Sequence, residues 1–240
     1  MPYFFYGFDW TYLIYVLPFI ILSLWASMHV NSTFRKYSKQ ISGRHITGAQ
    51  AAQRVLQSHG VLGVQIQRVS GNLTDHYDPK ANVIRLSDSV YDSAATAAIG
   101  VACHEAGHAV QYAQNYAPIK IRAAIIPVTN IGSRLAMPLI LLGIIFSSLG
   151  YFSDIIVYTG IACFSLSLIF QLVTLPVEFN ASRRALDSIR DYDILTEEEL
   201  QGAKKTLNAA AMTYVAATAV SLAQLLRLIT LFGGGRRRRD

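Results

Sequence analysis

His104-Glu105-Ala106-Gly107-His108 places two histidines four residues apart around a glutamate. Residues 101–113 are rich in Ala, Val and Gln, so the segment reads as a helix. Side chains four apart on a helix stand one above the other on a single face, so both imidazoles can reach one ion. Zinc favours such nitrogen ligands, and a catalytic zinc keeps three protein ligands and a fourth position for water. Glu105 follows the first histidine directly and is placed to take a proton from that water. Gly107 is costly inside a helix. Its expected use is to let another backbone or side chain approach the metal closely.

A third protein ligand must come from elsewhere, and the sequence restricts the choice. No histidine follows His108, and no Asp or Glu lies between His108 and Asp154. Two apolar segments, residues 136–152 and 155–177, follow the histidines, and Ser153-Asp154 reads as the turn between them. If this hairpin crosses a membrane and returns, Asp154 is left on the far side. Glu178 is then the first carboxylate to re-emerge beside the histidines, and elimination selects it. The competing reading is a solvated acid at a helix start, where negative charge is favourable. Asp187 and Asp191 are the next carboxylates along the chain.

The 240-residue chain is 52% hydrophobic and only 15% charged, too apolar for an ordinary soluble domain. Its net charge of +6 is clustered: Arg35, Lys36, Lys39 and Arg44 follow the first apolar segment, and Arg236 to Arg239 lie near the end. Basic clusters beside apolar spans face the cytoplasm. No nucleic-acid-binding module accompanies the charge, which argues against nucleic acid as a partner. Cys103 and Cys163 do not suggest a disulfide or a cysteine zinc site.

Five regions result. Residues 1–30 form an uncleaved membrane anchor with its N-terminus outside. Its apolar run (residues 12–28) follows the interface aromatics Tyr3, Phe4, Phe5, Tyr6, Phe8 and Trp10. Residues 31–124 form a cytoplasmic unit. It holds a helix over 47–59 capped by Thr47, strands over 64–69 and 82–86, and the histidine helix over 94–113. Residues 125–177 form the transmembrane hairpin, and residues 178–208 carry the third ligand on a helix. Residues 209–240 hold an apolar helix, read as buried against the protein or lying in the interface, and a basic tail. The fold class is therefore α+β: a mostly helical membrane protein with a small sheet, a zincin-like active-site helix and several transmembrane helices.

Residues 102–111 together with 175–185 resemble the membrane-bound neutral zinc metallopeptidases of the YugP type. The likeness extends to Leu73-Thr74-Asp75-His76-Tyr77-Asp78-Pro79 and to residues 208–217. A more distant likeness is to the CAAX prenyl protease and HtpX-type membrane peptidases. These too place a transmembrane hairpin between the H-E-x-x-H helix and a glutamate opening an E-x-x-A-D pattern. The resemblance implies Zn²⁺ held by His104, His108 and Glu178, with Glu105 as the catalytic base. It also suggests that residues 83–86 offer a strand edge to an extended substrate. Ser182 stands where the distant relatives carry the Asp of that pattern, which puts that Asp's supporting contact in question. Asn180 is the alternative support.

Other polar residues fit less well. Tyr214 is a candidate oxyanion donor in an otherwise apolar stretch, although tyrosine there more often packs. His76 reads as a turn or fold residue, and Cys103 as packing. Arg134 and Arg227 either reach for the interface or pair with acids. The expected activity is hydrolysis of peptide bonds in membrane-associated proteins or peptides, in the cell membrane, with the site on the cytoplasmic side. The partners are then a protein or peptide substrate and the lipid bilayer. The alternative is a membrane scaffold or chaperone-like protein that keeps zinc structurally.

Overall fold

The computed structural model describes residues 10–233. Tyr3, Phe4, Phe5, Tyr6 and Phe8 at one end and Arg236 to Arg239 at the other lie outside the described residues. The described chain is mostly helical, with one three-stranded sheet. It falls into two units, one of residues 26–120 and 176–213, the other of residues 10–25, 121–175 and 214–233.

The first unit is built around helix and sheet. Helix α3 (Gly48–Ser58) starts where the Thr47 side chain accepts from the Gln50 backbone N–H and the Gln50 side chain accepts from the Thr47 N–H. This reciprocal cap satisfies two donors that a helix start leaves over. Ala51, Val55 and Leu56 form its buried stripe, as the spacing predicts, together with Ala52. Strands β1 (Gln65–Val69), β2 (His76–Asp78) and β3 (Val83–Ser87) pair in the order β1-β3-β2, with β1 parallel and β2 antiparallel to β3.

β3 is therefore the central strand, hydrogen-bonded on both sides. The expectation that residues 83–86 offer an edge is overturned: the edges belong to β1 and β2. Burial agrees, since Val83, Ile84 and Leu86 are nearly inaccessible. Such an apolar run marks faces that are covered rather than solvated. After the one-turn helix α4 (Asp88–Tyr91), helix α5 (Thr96–Ala113) crosses the core, burying Ala97, Ala98, Ile99, Ala102, Cys103 and Ala106. Its many small residues bring neighbouring backbones close.

The remaining helices are long. α1 (Trp10–Tyr15) is short, but α2 (Leu17–Tyr37), α6 (Ala117–Ile145), α7 (Tyr151–Asp191) and α8 (Glu197–Gly233) are each long and apolar enough to cross a membrane. The division between the units falls inside all four. Within the second unit, a β-carbon added at Gly160 would stand 2.9 Å from the Ala136 carbonyl oxygen, and one at Gly143 would stand 3.0 Å from that of Ser153. The two arms of the hairpin thus pack backbone to backbone, with Ile140, Val157 and Ile161 beside the contact.

Two details differ from the sequence reading. The hairpin turns at Ser147–Leu149 and Gly150, whose φ of 59° suits glycine, while Ser153 and Asp154 lie inside α7. Asp154 reads as a turn residue yet serves the first helical turn, where a carboxylate is equally favoured. The first arm begins at Ala117 rather than residue 136, because its opening turns carry Lys120 and Arg122 and escape an apolar window. Of the apolar window of α8, 22% is buried. Arg227 meets the Thr11 hydroxyl at 3.3 Å and stacks over the Tyr12 ring.

Replacing Ile84, fully buried in the central strand, by Ala should cost about 2–5 kcal/mol. Leu62→Ala, at an 83% exposed position, should stay within about 0.5 kcal/mol. Thermal unfolding of the detergent-solubilised protein checks both; equal losses would contradict the assigned core.

Candidate metal centre

Helices α5 and α7 meet through a glycine. A β-carbon at Gly107 would lie 2.7 Å from the Ala181 carbonyl oxygen, a distance that real side chains do not adopt. The costly glycine between the histidines thus admits the backbone of α7. Glu178 lies one turn before Ala181 on that helix and Ser182 directly after it, so the contact brings both to the histidine face.

The result is a three-donor cluster. His104 Nε2 lies 3.3 Å and His108 Nε2 3.6 Å from Glu178 Oε2, and all three donors fall within 4.8 Å of one another. A tetrahedral ion with bonds of about 2.0–2.2 Å separates its ligands by roughly 3.3–3.6 Å. The donor set, two imidazoles and a carboxylate, is also one that zinc prefers. The residues therefore fit zinc in both chemistry and spacing. The Glu178 side chain is only 3% exposed, which excludes the solvated-acid reading.

Hydrogen bonds aim the histidines. Gln111 Nε2 donates to the Val177 carbonyl and to Asn180 Oδ1, both at 2.9 Å. Arg184 Nε donates to the same Asn180 oxygen at 2.7 Å, which fixes the Asn180 amide. With its NH₂ group thus engaged, Gln111 turns its oxygen to His108 Nδ1, 3.0 Å away. Nδ1 must then carry the proton, leaving the Nε2 lone pair free for an ion. Ser182 Oγ lies 3.1 Å from His104 Nδ1, a hydrogen bond that orients the ring. Ser182 thus makes the supporting contact that its replacement of Asp put in question, and Asn180 acts one step further out.

Burial opposes a charge on His108, but its bond to Glu178 and the neighbouring charges of Glu105 and Glu178 outweigh that. Without metal the ring holds its proton above the usual histidine range. Glu105 is buried on α5 and its charge is felt at Asp75 as well. Burial raises the Asp75 carboxyl, while bonds from the Ser87 N–H (2.7 Å) and hydroxyl work against that rise. Burial pushes the Cys103 thiol up, in keeping with packing. His76 faces Thr74 and Arg85 and takes no part in the cluster. Tyr214 lies on α8, where its carbonyl accepts the Thr218 hydroxyl at 2.8 Å.

Gln111 was not anticipated from the sequence. Its position three residues after His108, on the same helical face, is the signal that could have found it. Asp75 lacks any such spacing signal.

A protein-family profile described as "Putative neutral zinc metallopeptidase" matches residues 12–233. A relative from Bacillus subtilis (strain 168), described as "Putative membrane protease YugP", is 45% identical over 215 residues, covering 90% of this chain and 93% of the relative. No solved structure matches the chain.

Gln111→Leu should weaken zinc binding roughly 10–100-fold, and Gln111→Glu, which keeps an acceptor for His108 but loses the donor to Asn180 and Val177, should recover only part of it. Chelator competition measures both. Proton and metal compete for His108 Nε2. Because the metal-free pKa is raised, zinc affinity should hold above that raised value and fall as the pH drops through it. The loss should begin above the ordinary histidine value of about 6.5. Zinc titration across that range checks the sign, which a flat profile would contradict.

Proposed function

This chain belongs to the neutral zinc metallopeptidase family, and from that premise we propose that it is an integral membrane endopeptidase. Its substrates would be membrane-associated proteins or peptides. The observation that carries the reading is the cluster of His104, His108 and Glu178 at ion spacing, with buried Glu105 on the same helix as the histidines. A purely structural site has no use for a base there.

In this reading His104, His108 and Glu178 hold zinc. The ion, when bound, supplies a Lewis acid that lowers the pKa of water and polarises a peptide carbonyl. Glu105 takes the proton from the attacking water and returns it to the departing amine nitrogen, so the carboxylate is regenerated each turnover. Tyr214 is assigned as donor to the developing oxyanion. Strand β2, an edge of the sheet whose Tyr77 ring stacks edge-on with Tyr112 of α5, is the strand along which an extended substrate can pair. Arg35 and Lys36 in the last turn of α2, followed by Lys39 and Arg44, favour the cytoplasmic side for the metal-binding unit.

Glu105→Gln should keep stoichiometric zinc and lower cleavage of a quenched fluorescent casein by roughly 10²–10⁴-fold. Zinc is read by metal analysis and turnover by fluorescence, in protein reconstituted into vesicles. Undiminished cleavage would end the mechanism. Zinc retention without turnover even in the wild type would favour the scaffold. Tyr214→Phe should lower kcat roughly 10²-fold with KM nearly unchanged.

A further inference from the structure

Away from the metal cluster, α2 and α8 enclose a groove of about 500 Å³. Its α2 wall is the stripe His29, Ser32, Thr33, Lys36 and Tyr37, which the helical repeat places on one face. The α8 wall is Lys205, Asn208, Ala209 and Met212, at the same spacing. The helices are drawn together at Gly202, where a β-carbon would lie 2.9 Å from the Tyr37 ring.

The groove is graded along its length. At one end the ammonium groups of Lys36 and Lys205 converge on the Tyr37 ring, 5.5 and 6.0 Å from its centre. No Asp or Glu lines the groove, and among the described residues neither lysine takes part in an ion pair. Two like charges held on one ring in this way call for an anion. Towards the other end, Ala209 and Met212 point the way into the apolar stretch of α8, and His29 lies on the side of the apolar stretch of α2. From Lys36 back to His29 is about 10 Å along a helix, longer than the roughly 5–8 Å headgroup layer of one leaflet, so the groove reaches towards the acyl region.

The geometry points to a binding site for one anionic phospholipid. Its phosphate sits between Lys36 and Lys205, with the Thr33 hydroxyl and the Asn208 amide on the same walls, and its acyl chains run along the apolar end. Cationic side chains close to an anionic leaflet bind such headgroups by charge. The polar-to-apolar grading selects a lipid over a free anion. The assignment is independent of proteolysis, since none of these residues belongs to the metal cluster.

The test is native mass spectrometry of the full-length, zinc-loaded protein in neutral detergent. It is titrated with short-chain phosphatidylglycerol, with phosphatidylcholine of the same chains, and with inorganic phosphate. Wild type should bind phosphatidylglycerol roughly tenfold or more tightly than phosphatidylcholine. Lys36→Gln combined with Lys205→Gln should bring the two close to parity, with thermal stability in neutral detergent and zinc content unchanged. Lys39→Gln combined with Lys80→Gln, exposed lysines outside the groove, should keep the preference. The site is refuted by an equal affinity for both lipids in the wild type, by a preference that survives the groove variant, or by one that the control variant loses to the same extent. Inorganic phosphate bound as tightly as phosphatidylglycerol would replace the lipid by a free anion and overturn the assignment.

Discussion

Two helix backbones touch where Gly107 faces the Ala181 carbonyl, and the rest of the site follows from that approach. Helices normally keep their axes 8–10 Å apart, the distance set by the side chains between them. Removing the β-carbon at the crossing lets α7 come close enough for a short acidic side chain to reach imidazoles on α5. A second such contact, Gly100 against Ala203, lets α8 close on α5 from another direction. α5 is thus held by small residues along much of its length, and the histidines project from a helix with little freedom to shift.

Close approach alone would not make a metal site, because a neutral imidazole has two tautomers and only one leaves Nε2 open. The chain Arg184, Asn180, Gln111, His108 resolves this with hydrogen bonds whose directions are all forced. Arg184 can only donate, so Asn180 must accept, so Gln111 must present its NH₂ there and its oxygen to His108. A permanent charge on α7 thereby sets the protonation pattern of a ring on α5. Such networks are worth having only when complete, since a buried polar group left over is costly.

Much of this was legible in the sequence because it rests on local periodicity. The H-E-x-x-H helix, the capped α3 and the strands at 65–69 and 83–87 each obey a short-range rule. Glu178 was legible for a different reason: no other carboxylate or histidine was available over a long stretch. What escaped depends on pairing between distant segments. That β3 lies between β1 and β2 cannot be read from its own residues, whose apolar run fits an edge packed on one face as well as a centre. The hairpin turn was misplaced because Ser153-Asp154 has turn chemistry, while the reversal occurs at Gly150 just before it. The role of Ser182 was obscured by comparison with an aspartate pattern; a hydroxyl at the same helical position reaches the same imidazole nitrogen.

One ligand of the cluster is encoded seventy residues after the second histidine, beyond both arms of the apolar hairpin. A nascent chain that has left the ribosome only as far as α6 displays His104 and His108 alone, a weak bidentate pair. The third donor arrives only when the second arm has been synthesised and α7 has met α5 at Gly107. A site with all three donors therefore requires a chain in which the whole hairpin has been made.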